Sequence, residues 1–295
     1  MTATSIKVVE LTLRSQVIYL VLTLLLIVLN SIELHILRKS RYKPFYEKIL
    51  LSLTICDLCT GLIGLPLAIF GVTNDSKYYL MLFMCIWGYC VFYSILTSLL
   101  HLIIISLDRL WSIRAPLHHK KFISKKKLII SVALSWGVPM VLLVANLMVN
   151  FLQKMTVYSI YSYLVTTIWG ALAKVVLIAD IVFILSYSSI IWVVVTTGAK
   201  DVQNGRTQQR KSASTIYLCL GIVTAFIVFT TPFVIVYITR WDRPNWMKHL
   251  SVSMLSVNLS CNSLIYLFQK YRNRRMGFML RERRNARVTP EDTRF

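Results

Sequence analysis

The chain has 295 residues, of which 56% are apolar and only 15% charged, and its mean hydropathy is +0.64. Soluble domains run at about 45–50% apolar and about 25% charged, so these figures exclude an ordinary water-soluble enzyme and call for a membrane protein. The formal net charge of +21 would suit a nucleic-acid partner, but the bases fall between apolar runs and mainly in alternate connections, a pattern of membrane topology that excludes that partner.

Residues 1–15 are short and polar, and Thr2 stands where a myristoylation signal needs glycine. Seven apolar runs follow, at residues 16–37, 49–72, 80–107, 128–148, 164–195, 216–238 and 247–268. Each has about the 20 residues that a spanning helix requires, and the first lacks a small-residue cleavage site, so it reads as a retained span. The expectation is an all-α membrane protein with an extracellular N-terminus at 1–15, a seven-helix domain at 16–268 and a basic tail at 269–295. Of the 33 Lys and Arg, 25 lie in residues 38–48, 109–127, 198–211 and from 270 onward. The bias of bases toward the cytosol therefore places the N-terminus outside and the tail inside. No internal repeat and no matched pair of broken helices marks a transporter.

The tail, QKYRNRRMGFMLRERRN, interleaves Arg with Tyr271, Met276, Phe278, Met279 and Leu280. That composition describes a short amphipathic helix on an anionic cytosolic leaflet, each base adding about 1 kcal/mol. The six cysteines lie in or beside apolar runs. Cys56 and Cys59 form one CxxC pair with neither a second pair nor histidines at ligand spacing, so no metal site is expected. Asn74-Asp75-Ser76 is a glycosylation sequon on the outer side.

Charges placed in the bilayer are costly, about 2.5–3.5 kcal/mol each, and they point to use. Asp57 sits mid-way along the second run, Ser98 in the third, and Asn258 and Asn262 one helical turn apart in the seventh. Together they offer one pocket of oxygens and amides suited to a small hard cation. The stretch ISLDRLWSIRAPLHHKKF at 105–122 sets Asp108 and Arg109 side by side at the cytosolic end of the third run.

These residues carry a resemblance. Asn30 in the first run, Asp57 and Pro66 in the second, Asp108-Arg109-Leu110 and Ala115-Pro116-Leu117 after the third, and Trp136 in the fourth resemble the signature of rhodopsin-like (class A) G-protein-coupled receptors. So do Tyr187 in the fifth, Phe226 and Pro232 in the sixth, and Asn262-Ser263-Leu264-Ile265-Tyr266 in the seventh. The resemblance implies a plasma-membrane receptor for an extracellular ligand, coupled to a heterotrimeric G protein and not an enzyme. It implies a switch of Asp108, Arg109, Tyr187 and Tyr266. It also implies a pocket of Asp57, Ser98, Asn258 and Asn262 for a sodium ion as allosteric ligand, with no other cofactor.

The departures from the signature are specific. Leu110 replaces an aromatic, Ser263 and Ala179 replace prolines, and Thr230 replaces a tryptophan. Ser263 is expected to bond back to its own helix, and Ser212 stands where many relatives carry an acid that clamps the arginine. The outer loop 149–163 has no Cys to pair with Cys85. Lack of that disulfide and of the fifth-span Pro is similar to the melanocortin, lysophospholipid and cannabinoid receptors, a cluster that also takes in the adenosine receptors, and implies a lipid or peptide ligand. Val91 stands where an amine receptor holds Asp, and Ser256 where an opsin holds Lys, which argues against a simple amine and against retinal. Val91, Lys174, Thr230 and Ser256 are the candidate ligand-pocket positions. Two alternatives stay open: a solute-translocating bundle using Asp57, His101, Lys174 and Asp180, and a decoy receptor that does not signal.

Overall fold

The computed structural model describes residues 3–39, 44–73, 76–115, 118–119, 124–198, 206–239 and 245–288. Asn74, Pro116 and Leu117 lie outside the described residues. The described chain is helical: α1 (Ala3–Lys39), α2 (Phe45–Thr73), α3 (Lys77–Arg114), α4 (Lys125–Leu152), α5 (Val157–Tyr163), a π-helical turn (Leu164–Ile168), α6 (Trp169–Gly198), α7 (Arg206–Ile238) and α8 (Asn245–Val288). Seven of these stretches are long and apolar enough to span a membrane, α5, the π turn and α6 together forming the fifth.

Long apolar runs form helices here because a bilayer leaves no other partner for backbone N–H and C=O groups. Capping residues mark two of the starts: the Ser124 hydroxyl accepts from the Lys127 amide at 3.3 Å, and the Thr156 hydroxyl from the Ser159 amide at 3.3 Å. Pro66, Pro139 and Pro232 lie inside α2, α4 and α7 and each removes one helix bond.

The third span is the axis of the bundle, touching α2, α4, α5, α6, α7 and α8, while α8 packs between α1 and α7. Its inner face buries Phe83, Trp87, Val91, Ile95, Leu99, Leu102 and Ile105, spaced by three or four residues as one helical stripe requires. The fourth span exposes most of its apolar surface, as a helix at the lipid boundary does.

Two boundaries differ from the sequence expectation. Residues 3–15 continue α1 as helix. The tail does not begin a separate short helix after 268, because α8 runs unbroken to Val288. Neither Gly nor Pro occurs between Trp246 and Met276, so the sequence provides no stop there.

Candidate functional site

Three features lie in series along the bundle, beginning at the end where α3 starts, which the sequence reading places outside. A cavity of about 290 Å³ is lined by residues that include Tyr19, Trp87, Tyr161, Trp169, Tyr237 and Lys248. Trp169 stacks on Tyr237 at 5.9 Å and tilts against Phe233 at 5.2 Å, while Tyr19 and Trp87 meet at 6.3 Å. Among the described residues Lys248 is the only charged one of the lining. The π turn contributes Leu164 and Val165 to the wall, so the fifth span, lacking its usual Pro, carries its helical irregularity at the cavity instead.

The four pocket positions expected from the sequence lie elsewhere. Lys174 is exposed on the outside of the bundle. Val91, Thr230 and Ser256 are buried in the bundle, and none of them lines the outer cavity. The Thr230 hydroxyl bonds the Phe226 carbonyl at 2.7 Å and lies 3.4 Å from Asp180 Oδ2. Lys174 and Asp180 therefore face opposite ways, and the polar path that a translocating bundle would need is not joined through them. Lys248 is a lining cation that the sequence reading did not single out. Its available signal was Val252 one turn later, also in the lining, which sets both on one helical face.

The middle of the bundle holds a polar core. Asp57, Ser98, Asn258 and Asn262 are all at most 1% exposed; Ser98 and Asn262 face the Asp57 carboxylate, and Asn258 lies one turn before Asn262 on α8. Both Asp57 oxygens, Ser98 Oγ and both amide atoms of Asn258 and Asn262 lack a hydrogen-bond partner within reach among the described residues. Buried polar atoms are almost always paired. A cluster of buried polar atoms left without a well-formed hydrogen bond is one that Asp57, Ser98 and the two amides could use to hold a small hard cation.

Glu33, fully buried in the first span, joins the edge of this core within electrostatic reach of Asp57. Ser263 Oγ faces Asn30 Oδ1 at 2.8 Å and also meets Glu33 Oε2, while Asn30 Nδ2 donates to the Leu26 carbonyl at 2.9 Å. Ser263 thus bridges to another helix and does not bond back to its own. A carboxylate acceptor across the interface outcompetes a backbone carbonyl already engaged in the helix ladder. His101 is satisfied locally, by the Thr97 carbonyl at 2.7 Å and Ser52 Oγ at 3.0 Å, and Trp136 Nε1 donates to the same Ser52 at 2.9 Å.

At the other end, Arg109 donates to the carboxylate of its neighbour Asp108, and its guanidinium lies 4.8 Å from the centre of the Tyr46 ring. Asp108 Oδ1 has a second partner in His119 Nε2 at 2.8 Å. The pattern of the chain gave no sign of this contact, which depends on how the connection after α3 folds back. Tyr187 is buried within electrostatic reach of Arg109, its hydroxyl 3.4 Å from Ser106 Oγ. Tyr266 is buried too, with Lys270 Nζ 3.4 Å from its hydroxyl. The six cysteines are all free thiols.

The comparisons with known proteins give the family. The profile of the family described as 7 transmembrane receptor (rhodopsin family) matches residues 32–266. The chain is similar to human trace amine-associated receptor 5, 25% identical over 237 residues, which cover 75% of this chain and 70% of that receptor. The rat receptor of the same name is 24% identical over the same coverage. A shorter likeness, 36% over 91 residues, links 30% of this chain to 20% of the human 5-hydroxytryptamine receptor 2C. The chain belongs to the rhodopsin family of seven-transmembrane receptors and is a multi-pass plasma-membrane receptor of the G-protein-coupled class, not an enzyme.

Proposed function

We propose that the chain, with its N-terminus outside the cell, takes an amphiphilic ligand bearing an anionic group, a lipid or a peptide, in the outer cavity. The signal passes through the Asp57 core to Arg109, which engages a heterotrimeric G protein. The observation that carries the ligand class is the lining: aromatic walls with Lys248 as the sole charge among the described residues. A cationic amine, the ligand type named for the relatives, would find no carboxylate among these lining residues, and Val91 is the apolar residue where an amine receptor holds its Asp. Opsin-like use of retinal lacks its lysine, since Ser256 is buried at that position. The missing outer-loop cysteine and fifth-span Pro, shared with the lipid and peptide receptor cluster, agree with this class.

The switch is the group Asp108, Arg109, Tyr187 and Tyr266. A sodium ion held by Asp57, Ser98, Asn258 and Asn262 would supply fixed positive charge that favours the state in which these side chains converge. The basic tail lies on anionic lipid, and Asn74 is the glycosylated position.

The test is a panel of lipid, peptide, nucleoside and amine ligands against a promiscuous G-protein reporter. The expected responders are anionic amphiphiles. Lys248→Ala raises their half-maximal concentration about tenfold, equivalent to about 1.4 kcal/mol. Arg109→Ala abolishes the response with ligand binding retained. Asp57→Asn removes the sensitivity to sodium. A response to amines alone, or unchanged potency in Lys248→Ala, overturns the ligand assignment, and an unimpaired Arg109→Ala overturns the switch.

A further inference from the structure

The outer cavity is small. Its volume of about 290 Å³ lies at the foot of the range of about 300–1,000 Å³ for ligand pockets and equals about ten water molecules at about 30 Å³ each. That space has room for one ring-bearing residue and not for a full-length acyl chain.

The walls are rings held in place. Tyr19 of α1, Trp87 of α3, Trp169 of α6 and Tyr237 of α7 reach the cavity from four spans. Trp87 and Trp169 are only 2% and 4% exposed, and Trp169 and Tyr237 lie 24° from parallel. Phe233, fully buried, packs behind both, 5.2 Å from Trp169 and 4.7 Å from Tyr237. A wall backed in this way is already ordered before a ligand arrives, so stacking a further ring on it costs little reorganisation.

The charge is single. Among the described residues Lys248 is the one charged group of the lining, it is half-buried, and no acid pairs with it. An ammonium so placed offers three donors to a carboxylate brought from outside. A bare inorganic anion would leave the rings unused, and an amine would meet Lys248 as a like charge. The complement of a small volume, ring walls and one ammonium is one planar ring joined to one carboxylate by a short spacer.

We propose that the outer cavity binds an aromatic carboxylate, the chemistry shared by a free aromatic acid and by the last residue of a peptide with an unblocked aromatic C-terminus. The ring lies among Trp87, Trp169 and Tyr237, and the carboxylate pairs with Lys248. The proposal rests on the reading of this cavity as the ligand site and narrows its ligand class.

The full chain in detergent is titrated with N-acetyl-phenylalanine, its amide and N-acetyl-leucine, and binding is followed by saturation-transfer NMR of the probe. The aromatic acid is expected to bind about tenfold more tightly than either of the other two. Lys248→Ala abolishes the preference for acid over amide. Lys248→Glu reverses the charge preference, so that phenethylamine binds in place of the acid. Trp169→Leu abolishes the preference for the ring over leucine and keeps that for acid over amide. Lys174→Ala, on the outside of the bundle, changes neither. Each preference is a ratio measured on one sample, so a variant that folds in lower yield still reports it. The peptide Gly-Gly-Gly-Phe with a free C-terminus separates the sources: tighter binding than the acetylated residue assigns the site to a peptide end, and weaker binding to a free acid. Equal binding of acid and amide by the unaltered chain, or an acid preference kept in both Lys248 variants, overturns the proposal. No G protein enters this measurement. A reporter response to lipids without binding of these acids overturns the ligand class and spares the receptor, whereas binding without any reporter response does the reverse.

Discussion

Ser263 shows how one substitution is absorbed at the scale of a residue. Where relatives have a Pro that distorts the seventh span, this chain has a hydroxyl that ties that span to the first through Asn30 and Glu33, residues more than 200 positions away. The hydroxyl has one proton to share between the two, so removing it leaves one buried acceptor without its donor, at a cost of about 1–3 kcal/mol. Ser263→Ala is therefore expected to lower the thermal unfolding temperature of the detergent-solubilised chain, and an unchanged temperature would show that the bridge contributes nothing. Asp57, Asn258 and Asn262 stand out in the sequence because they are costly inside a membrane, and all three are buried. Partners do not stand out. Glu33 with Ser263 and Asp108 with His119 depend on which helices and connections become neighbours, and no local periodicity encodes that. Lys248 was passed over for Lys174 because both are cations near an outer boundary, and only the packing decides which one turns inward.

At the scale of elements, the second and third spans approach closely at Gly64. A Cβ built there would sit 2.1 Å from Cζ3 of Trp87, a rigid ring held at 2% exposure in the core. The ring has no flexible end to swing aside, so either the helices part or Trp87 shifts toward the outer cavity it lines. Gly64→Ala should destabilise the bundle by about 1–3 kcal/mol. It should also weaken ligands of the outer cavity more than Ala substitution at a lipid-facing position such as Leu62, read as half-maximal concentration in the reporter assay. Equal potency in both variants would mean that the ring does not shape the cavity. The seven spans were legible from their length and apolarity alone, whereas helix ends were not. The 44 residues of α8 extend about 66 Å, well beyond a bilayer of about 40–45 Å with its headgroups. Apolarity marks where a helix leaves the hydrocarbon, but only a breaker or a cap marks where it stops, and this segment has no breaker before Gly277.

The scale of the whole molecule is the balance between a closed and an open cytosolic end. In the closed arrangement Arg109 is held from its own helix by Asp108 and from the second span by Tyr46. The sixth span has no carboxylate anywhere between Arg206 and Ile238, and its first turns carry Arg206, Arg210 and Lys211. No ion pair can join that helix to Arg109, and the like charges favour separation. We propose that without such an ion pair the bundle populates its open state in the absence of ligand, and even a few per cent is measurable. Cells expressing the chain should thus show G-protein signalling above mock cells and above Arg109→Ala. Restoring a carboxylate on the sixth span by Ser212→Glu supplies an ion pair of about 1 kcal/mol, which shifts the equilibrium about fivefold toward the closed state. The expected result is a drop in basal signal of that size with the maximal ligand response retained, and a basal signal that Ser212→Glu leaves unchanged would place the restraint on Arg109 elsewhere in the bundle.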